Sequence, residues 1–290
     1  VAKYGETIMA IVTDQNEKET FVQNSGVTYK VIDDAAETLS LGQTIEGFTY
    51  LDKKGTPVFT REIPEVRIGH YGWGEVVEVR RNLGVFVNVQ WKDKDLVVSL
   101  DDLPNEGHLW PKKGDQLYLT VRIDEKDRIW GELAQEEDFV AISKTGTKEE
   151  HNSDVNGHAF LLKKSGTYFF TEDHYIGFVH PSEREREPRL GEHISGRIIG
   201  VREDGVYYVS LLPRAYEVLD EDAAMLLEVL RRSSDQRFPF NDKSDPQAIK
   251  NQFGISKGQF KRALGRLMKQ RLITQDENGT QLVDETSDES

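Results

Sequence analysis

Four strand-like runs set aromatic rings on one side of a ribbon, two of them with cations alongside. In LGVFVNV (83–89), Val85, Val87 and Val89 share a phase and Phe86 takes the other, since successive strand side chains point to opposite faces. In KDRIWGEL (126–133), Ile129 keeps the apolar phase, while Arg128 and Trp130 share the opposite one. In GTYFFT (166–171), Tyr168 and Phe170 lie in phase, opposite Phe169, with Lys163 and Lys164 just ahead. Tyr208, in GVYYVS (205–210), belongs on the side of Tyr168 and Phe170. Outward rings of this kind stack on nucleobases, and neighbouring cations meet phosphates; a stacked base is worth about 1–3 kcal/mol by alanine substitution. The same rings would also serve as a seam against a neighbouring module.

A second constellation is basic. Residues 257–271, KGQFKRALGRLMKQR, hold six cations and no acid. Phe260, Ala263, Leu264 and Leu267 recur at helical period, which turns Lys261, Arg262, Arg266 and Lys269 outward. Such a face suits entry into a nucleic-acid groove or contact with phosphates. The competing reading is an ordinary solvated helix face.

The elements that must position these groups follow from patterning. DQLYLTVRI (115–123) alternates strictly, as a half-buried strand does, and turn residues separate short strands at close spacing. A weak repeat of about 80 residues relates 74–100 to 157–182, and 5–60 has the same order of parts. The economical reading is three five-stranded barrels, at 1–64, 65–139 and 140–216. Residues 217–283 differ. Leu219–Arg232, 244–254 and 256–271 read as helices, the second with Pro246 early and Gly254 as its stop, the third with the capping pair Ser256 and Gln259. Asn278-Gly279 then signals a hairpin. Three helices and a hairpin make a winged helix-turn-helix. The fold expected is mainly β with a C-terminal α+β domain, and the acidic tail 284–290 is expected to be disordered.

Composition narrows the chemistry. The 290 residues carry a formal net charge of −14 and no cysteine. A polycation coating nucleic acid at random is excluded, as are disulfides, zinc–thiolate sites and thiol nucleophiles. No apolar run approaches the ~20 residues of a membrane span, and the first residues make a poor signal peptide. A cytoplasmic protein is expected, without a P-loop or HExxH motif, with scattered histidines, and with no metal or cofactor. All four tryptophans (Trp73, Trp91, Trp110, Trp130) fall in the second module. Trp73 and Trp110 are expected in an apolar core or at a domain seam.

GEVVEVRRNLGVFVNV (74–89) followed by KKGDQLYLTVRIDEKDRIWGEL (112–133) resembles the S1 domain, an OB-fold RNA-binding module, and GFVHPSE (177–183) is similar to another of its segments. Three S1-like OB-fold barrels and then a winged helix resemble the conserved virulence factor B family of low-GC Gram-positive bacteria. That resemblance implies RNA binding and post-transcriptional influence on gene expression, virulence factors included, without catalysis. It places Phe86, Asp124 and Arg128 of the second module, and Tyr168 and His180 of the third, on RNA-contact positions. Leu83 and Val98, and likewise Ser165, Arg202 and Val206, depart from the pattern. The first module lacks clear contact residues and is expected to be a spacer or a protein-contact module. Single-stranded RNA is the expected partner. Duplex DNA at the winged helix and protein partners are the alternatives.

Overall fold

Five strands close on themselves three times in succession in a computed structural model that describes residues 4–33, 39–213 and 221–283. The tail 284–290 lies outside the described residues. The first barrel comprises β1 (Glu6–Gln15), β2 (Thr20–Asn24), β3 (Val27–Val31), β4 (Thr44–Leu51) and β5 (Pro57–Thr60). The second comprises β6 (Gly72–Arg80), β7 (Gly84–Asn88), β8 (Leu96–Ser99), β9 (Gln116–Ile123) and β10 (Ile129–Leu133). After a helix, α1 (Glu136–Ile142), the third comprises β11 (Asp154–Lys163), β12 (Gly166–Thr171), β13 (Ile176–Val179), β14 (His193–Val201) and β15 (Tyr207–Ser210).

Each barrel closes through a parallel pairing of its third and fifth strands. Each also bulges at the same place in its first strand, between Val12 and Asp14, Val76 and Glu78, or Ala159 and Leu161. A bulge bends the strand and lets a small sheet curl shut. Gly84 and Gly166 open β7 and β12 at φ 140° and 150°. A Cβ there would lie 1.9 Å from the Val98 carbonyl oxygen or 2.5 Å from that of Val179, so only glycine lets the second strand pass so close to the third.

The three barrels belong to one unit, Val1–Leu212. Phe48, Tyr50 and Val58 of the first barrel share a core with Trp91 and Leu96 of the second. The Trp91 indole N–H donates to the Val66 carbonyl at 2.9 Å. Between the second and third barrels, Arg189 grips buried Asp115 with two prongs, at 3.0 and 3.2 Å. Backbone bonds from Gln116 to Gly191 and from Leu190 to Leu109 complete that seam, both at 3.0 Å.

The second unit is a winged helix. It comprises α2 (Glu221–Arg232), β16 (Arg237–Phe238), α3 (Pro246–Phe253), α4 (Lys257–Lys269), β17 (Ile273–Asp276) and β18 (Gly279–Leu282). The Asp245 carboxylate caps α3 by accepting from Gln247 and Ala248 N–H groups, and Ser256 and Gln259 form the capping box of α4. Leu226, Leu230, Ile249, Phe260, Leu264 and Leu267 fill the core between the helices. The hairpin β17–β18 gains β16 as a third strand, which the sequence pattern does not announce.

Candidate nucleic-acid interface

The outer face of the second barrel carries a band across four adjacent strands. Phe86 on β7 sits opposite Val97 on β8. Gly131 of β10 pairs with Val98, which brings Trp130 beside Val97. Trp130 in turn pairs with Arg122 on β9. Phe86, Val97 and Trp130 are each half-buried, as outward side chains of a small barrel are.

Both rings are lidded by cations held to carboxylates. The Arg80 guanidinium lies 4.6 Å from the Phe86 ring centre, and its Nε donates to Glu78 at 2.8 Å. That bond keeps the Glu78 carboxyl below its ordinary range. The Arg128 guanidinium lies 5.4 Å from the Trp130 ring centre, with Nε donating to Asp124 at 2.7 Å. Asp124 also accepts from the Arg128 backbone N–H at 2.9 Å and from the Trp130 indole at 3.1 Å. These bonds, the Arg128 backbone N–H foremost, hold Asp124 well below the usual carboxylate range. Asp124, Arg128 and Trp130 thus form one hydrogen-bonded group. Arg80, Glu78 and Arg122 also belong to this face; strand phase could have shown them, but they carry no ring to draw attention.

In the third barrel the same register gives a different surface. Tyr168 on β12 pairs with Phe178 on β13, and Phe178 with Tyr208 on β15. The phase expected from the sequence is right, since Phe169 fills the barrel core. The exposure expected of Tyr168 and Phe170 is not found: they are 9% and 3% exposed. Tyr168 is covered by Phe178 and Phe160, with ring centres 4.9 and 6.4 Å away, and Phe170 by α1, an element the strand and helix patterns do not anticipate. It packs Phe139 onto Phe160 and Phe170, with ring centres 3.9 and 5.4 Å apart. Gln135 donates its N–H to Asp138 at 2.7 Å at the start of α1, a capping signal legible in QEED. Trp73 lies at this seam, in keeping with the seam expected for it. It is 37% exposed and packs on Tyr118, His158 and Phe170.

Tyr208 remains 39% exposed. Lys163 stands 5.1 Å above the Tyr168 ring and pairs with Glu136 at 2.7 Å, which raises its pKa. Lys164 is exposed at the same hairpin. Arg202 reaches the Tyr168 hydroxyl at 3.4 Å and pairs with Asp204. His180 is exposed, and its Nδ1 accepts from the Ser182 backbone N–H at 3.2 Å, so the ring caps a short helical turn.

In the winged helix, Lys261, Arg262, Arg266 and Lys269 are exposed along α4. The letters Gly-x-Ser-x-Gly, the pattern of a hydrolase nucleophile turn, occur at 254–258. Ser256 spends its hydroxyl on the Gln259 capping box, and no histidine follows His193 in the sequence. Among the described residues no group of three or more His, Asp or Glu is arranged to hold a metal. No helix among them is long and apolar enough to cross a membrane.

The molecule thus combines three barrels of one topology, a lidded aromatic band and a basic third helix in a winged fold. Family profiles match in four places: an S1 domain at 4–62, the CvfB first S1-like domain at 71–132, the second domain of virulence regulatory factor CvfB at 139–213, and a CvfB-like winged helix domain at 224–282. The conserved virulence factor B of Staphylococcus epidermidis is 35% identical over 82% of this chain and 79% of its own length. The chain belongs to the conserved virulence factor B family. A Bacillus subtilis protein, YitL, is 38% identical over 81% of this chain and 78% of its own. A crystal structure of a multidomain protein with nucleic acid binding domains from Streptococcus pneumoniae TIGR4 is similar at 44% identity, covering 97% of this chain and 98% of that one, with a TM-score of 0.71. The virulence factor B family members share with this chain S1-like barrels and a winged helix, two module types that bind nucleic acid elsewhere.

Proposed function

We propose that this protein is a non-enzymatic regulator of gene expression that binds single-stranded RNA in the cytoplasm. The observation that carries the reading is the outer face of the second barrel. Phe86 and Trp130 stand on an OB-type sheet, one strand apart, each beside an arginine. Single strands bind such faces by stacking bases on rings while cations meet phosphates. The ligand takes the ring face that the guanidinium covers, and the freed guanidinium meets its phosphate. The basic face of α4 adds phosphate contacts. Local charge does not forbid this: the second module holds 10 basic and 16 acidic residues, but short-range contacts depend on where charge sits.

Fluorescence anisotropy with labelled single-stranded RNA tests the reading. Phe86→Ala with Trp130→Ala should weaken binding by about 2–4 kcal/mol, two stacked bases' worth at the lower half of the usual range. Lys261→Ala with Arg266→Ala should lower affinity and reduce the salt slope by about one for each phosphate no longer neutralised. Wild-type affinity in the first double variant would remove the barrel face from the site. The acid-free face of α4 favours a second reading, duplex DNA binding through the winged helix. Duplex DNA outcompeting RNA in the same assay would establish it instead.

A further inference from the structure

We infer that the cleft between the first and second barrels receives the guanidinium of an arginine carried by a partner protein. This does not rest on the RNA-binding reading: neither Phe86 nor Trp130 lines the cleft, and the ligand is a cation rather than a polyanion.

The cleft has a volume of about 260 Å³. That lies below the ~300–1,000 Å³ of sites for drug-sized ligands and suits the head of one long side chain. Four rings line it. Phe48, Tyr50 and Trp91 are buried, with the Phe48 and Tyr50 ring centres 4.8 and 5.1 Å from that of Trp91. Trp73 is 37% exposed. The segment 62–66, between β5 and β6, adds Glu62 and Glu65, both exposed. Among the described residues neither carboxylate has an ion-pair partner. Ile63, which also lines the cleft and is 43% exposed, offers apolar surface to the residues flanking an inserted arginine. A free amine would leave that surface wet.

Hydrogen-bonding capacity in the cleft runs one way. The Tyr50 hydroxyl donates to the Lys92 carbonyl and the Thr60 hydroxyl to Asp33. The Lys92 ammonium donates to the Ile32 carbonyl at 2.7 Å, and the Trp91 indole to the Val66 carbonyl at 2.9 Å. These four donors of the lining are engaged, while Glu62 and Glu65 remain to accept. An arginine answers both the rings and the acceptors. Its guanidinium carries five N–H donors and no acceptor, and its plane stacks on aromatic faces. Tryptophan is the ring that attracts a cation best. The local field agrees: burial, then Asp93, Asp52 and Asp33, push the Tyr50 hydroxyl well above its ordinary value. A phosphate would instead meet two carboxylates and a lysine already turned to Ile32. The larger cleft at the seam of the second and third barrels, about 490 Å³, mixes Lys163 and Lys164 with Glu106 and Glu136 and selects no charge.

The intact protein carries its own reporters. Of its four tryptophans, Trp73 and Trp91 line the cleft, and Trp110 and Trp130 do not. The test follows the indole N–H signals of tryptophan-labelled protein by NMR during titration with the blocked peptide acetyl-Gly-Ser-Arg-Ser-Gly-amide. Saturable shifts of the Trp73 and Trp91 signals are expected, with those of Trp110 and Trp130 unmoved. The same peptide with citrulline in place of arginine should bind about three- to tenfold more weakly, and Glu62→Gln with Glu65→Gln should weaken the arginine peptide to the same degree. Trp73→Leu, read at Trp91, should weaken it about threefold. Glu149→Gln with Glu150→Gln removes equal charge from exposed positions of the third barrel and should change nothing. Dispersed indole signals confirm that each variant is folded. Shifts spread over all four indoles, or an equal loss in the Glu149 and Glu150 variant, overturn the site in favour of general attraction to an acidic chain. Equal binding of the citrulline peptide, or no shift at all, overturns it outright. Single-stranded RNA moving Trp73 and Trp91 while the peptide does not overturns it in favour of a nucleotide contact.

Discussion

The second and third barrels carry the same band at the same register, and only one of them leaves it open. Phe86 and Trp130 are lidded by exposed arginine side chains. Tyr168 and Phe170 sit in a cluster that includes Phe139 of α1 and Phe178. An exposed guanidinium over a ring costs little to move, since an exposed cation–π contact is worth about 0.5–1 kcal/mol and an exposed ion pair about 0.2–1 kcal/mol. A packed phenylalanine does not move without losing several. Identical strand geometry therefore does not guarantee identical availability. What lies on the barrel, rather than the barrel, decides which face can meet a ligand.

The largest expected effect comes from breaking the cover. Phe139→Ala should cost about 3–5 kcal/mol of stability, the usual range for a buried phenylalanine, read by denaturant unfolding. If the variant stays folded at low temperature, Phe170 should gain solvent exposure, detectable by faster hydrogen exchange along β12. A loss below about 1 kcal/mol would mean that α1 is not the element that separates the two faces. Next in size is the contrast between open rings. Trp130→Ala should weaken RNA binding by about 1–3 kcal/mol, and Tyr208→Ala by less; equal losses would erase the distinction between the barrels.

A smaller change tests the lids. Glu78→Gln frees Arg80 for phosphate and should raise RNA affinity about two- to three-fold, in keeping with the modest worth of exposed ion pairs. The gain should vanish in an Arg80→Ala background. A gain that persists there would reflect removal of a negative charge, not release of a lid. The smallest effect concerns the seam. Burial lowers the pKa of His158, which also faces the Gly191 carbonyl, His193, Glu172 and Asp115. Below the ordinary histidine value of about 6.5 the unfolded chain then binds more protons than the folded one. Stability is fully present above that pH and falls as pH drops through the folded value. His158→Gln should flatten the decline between about pH 7 and pH 5 in melting experiments.

Most of the architecture was legible in the sequence because its signals are local. Alternation in DQLYLTVRI, the valine phase in LGVFVNV and the caps at Asp245 and Ser256 each act over a few residues, and they appear in β9, β7, α3 and α4 as read. The outward direction of Phe86, Trp130, Tyr168 and Lys261 followed from the same short periods. What the periods do not carry is what lies on top. Burial of Phe170 depends on Phe139, 31 positions earlier in the chain, and that of Trp91 on its contacts with Phe48 and Tyr50 in another barrel.

The grip of Arg189 on Asp115 has a kinetic consequence. Two barrels joined by a largely buried, two-pronged ion pair and by backbone bonds would, on the proposed RNA-binding function, meet a strand already assembled. No entropy of docking one barrel onto the other is then lost on association, as preorganised sites avoid it. Association at this pair should therefore proceed in a single step whose rate follows strand concentration and ionic strength, with no slower closing phase behind it.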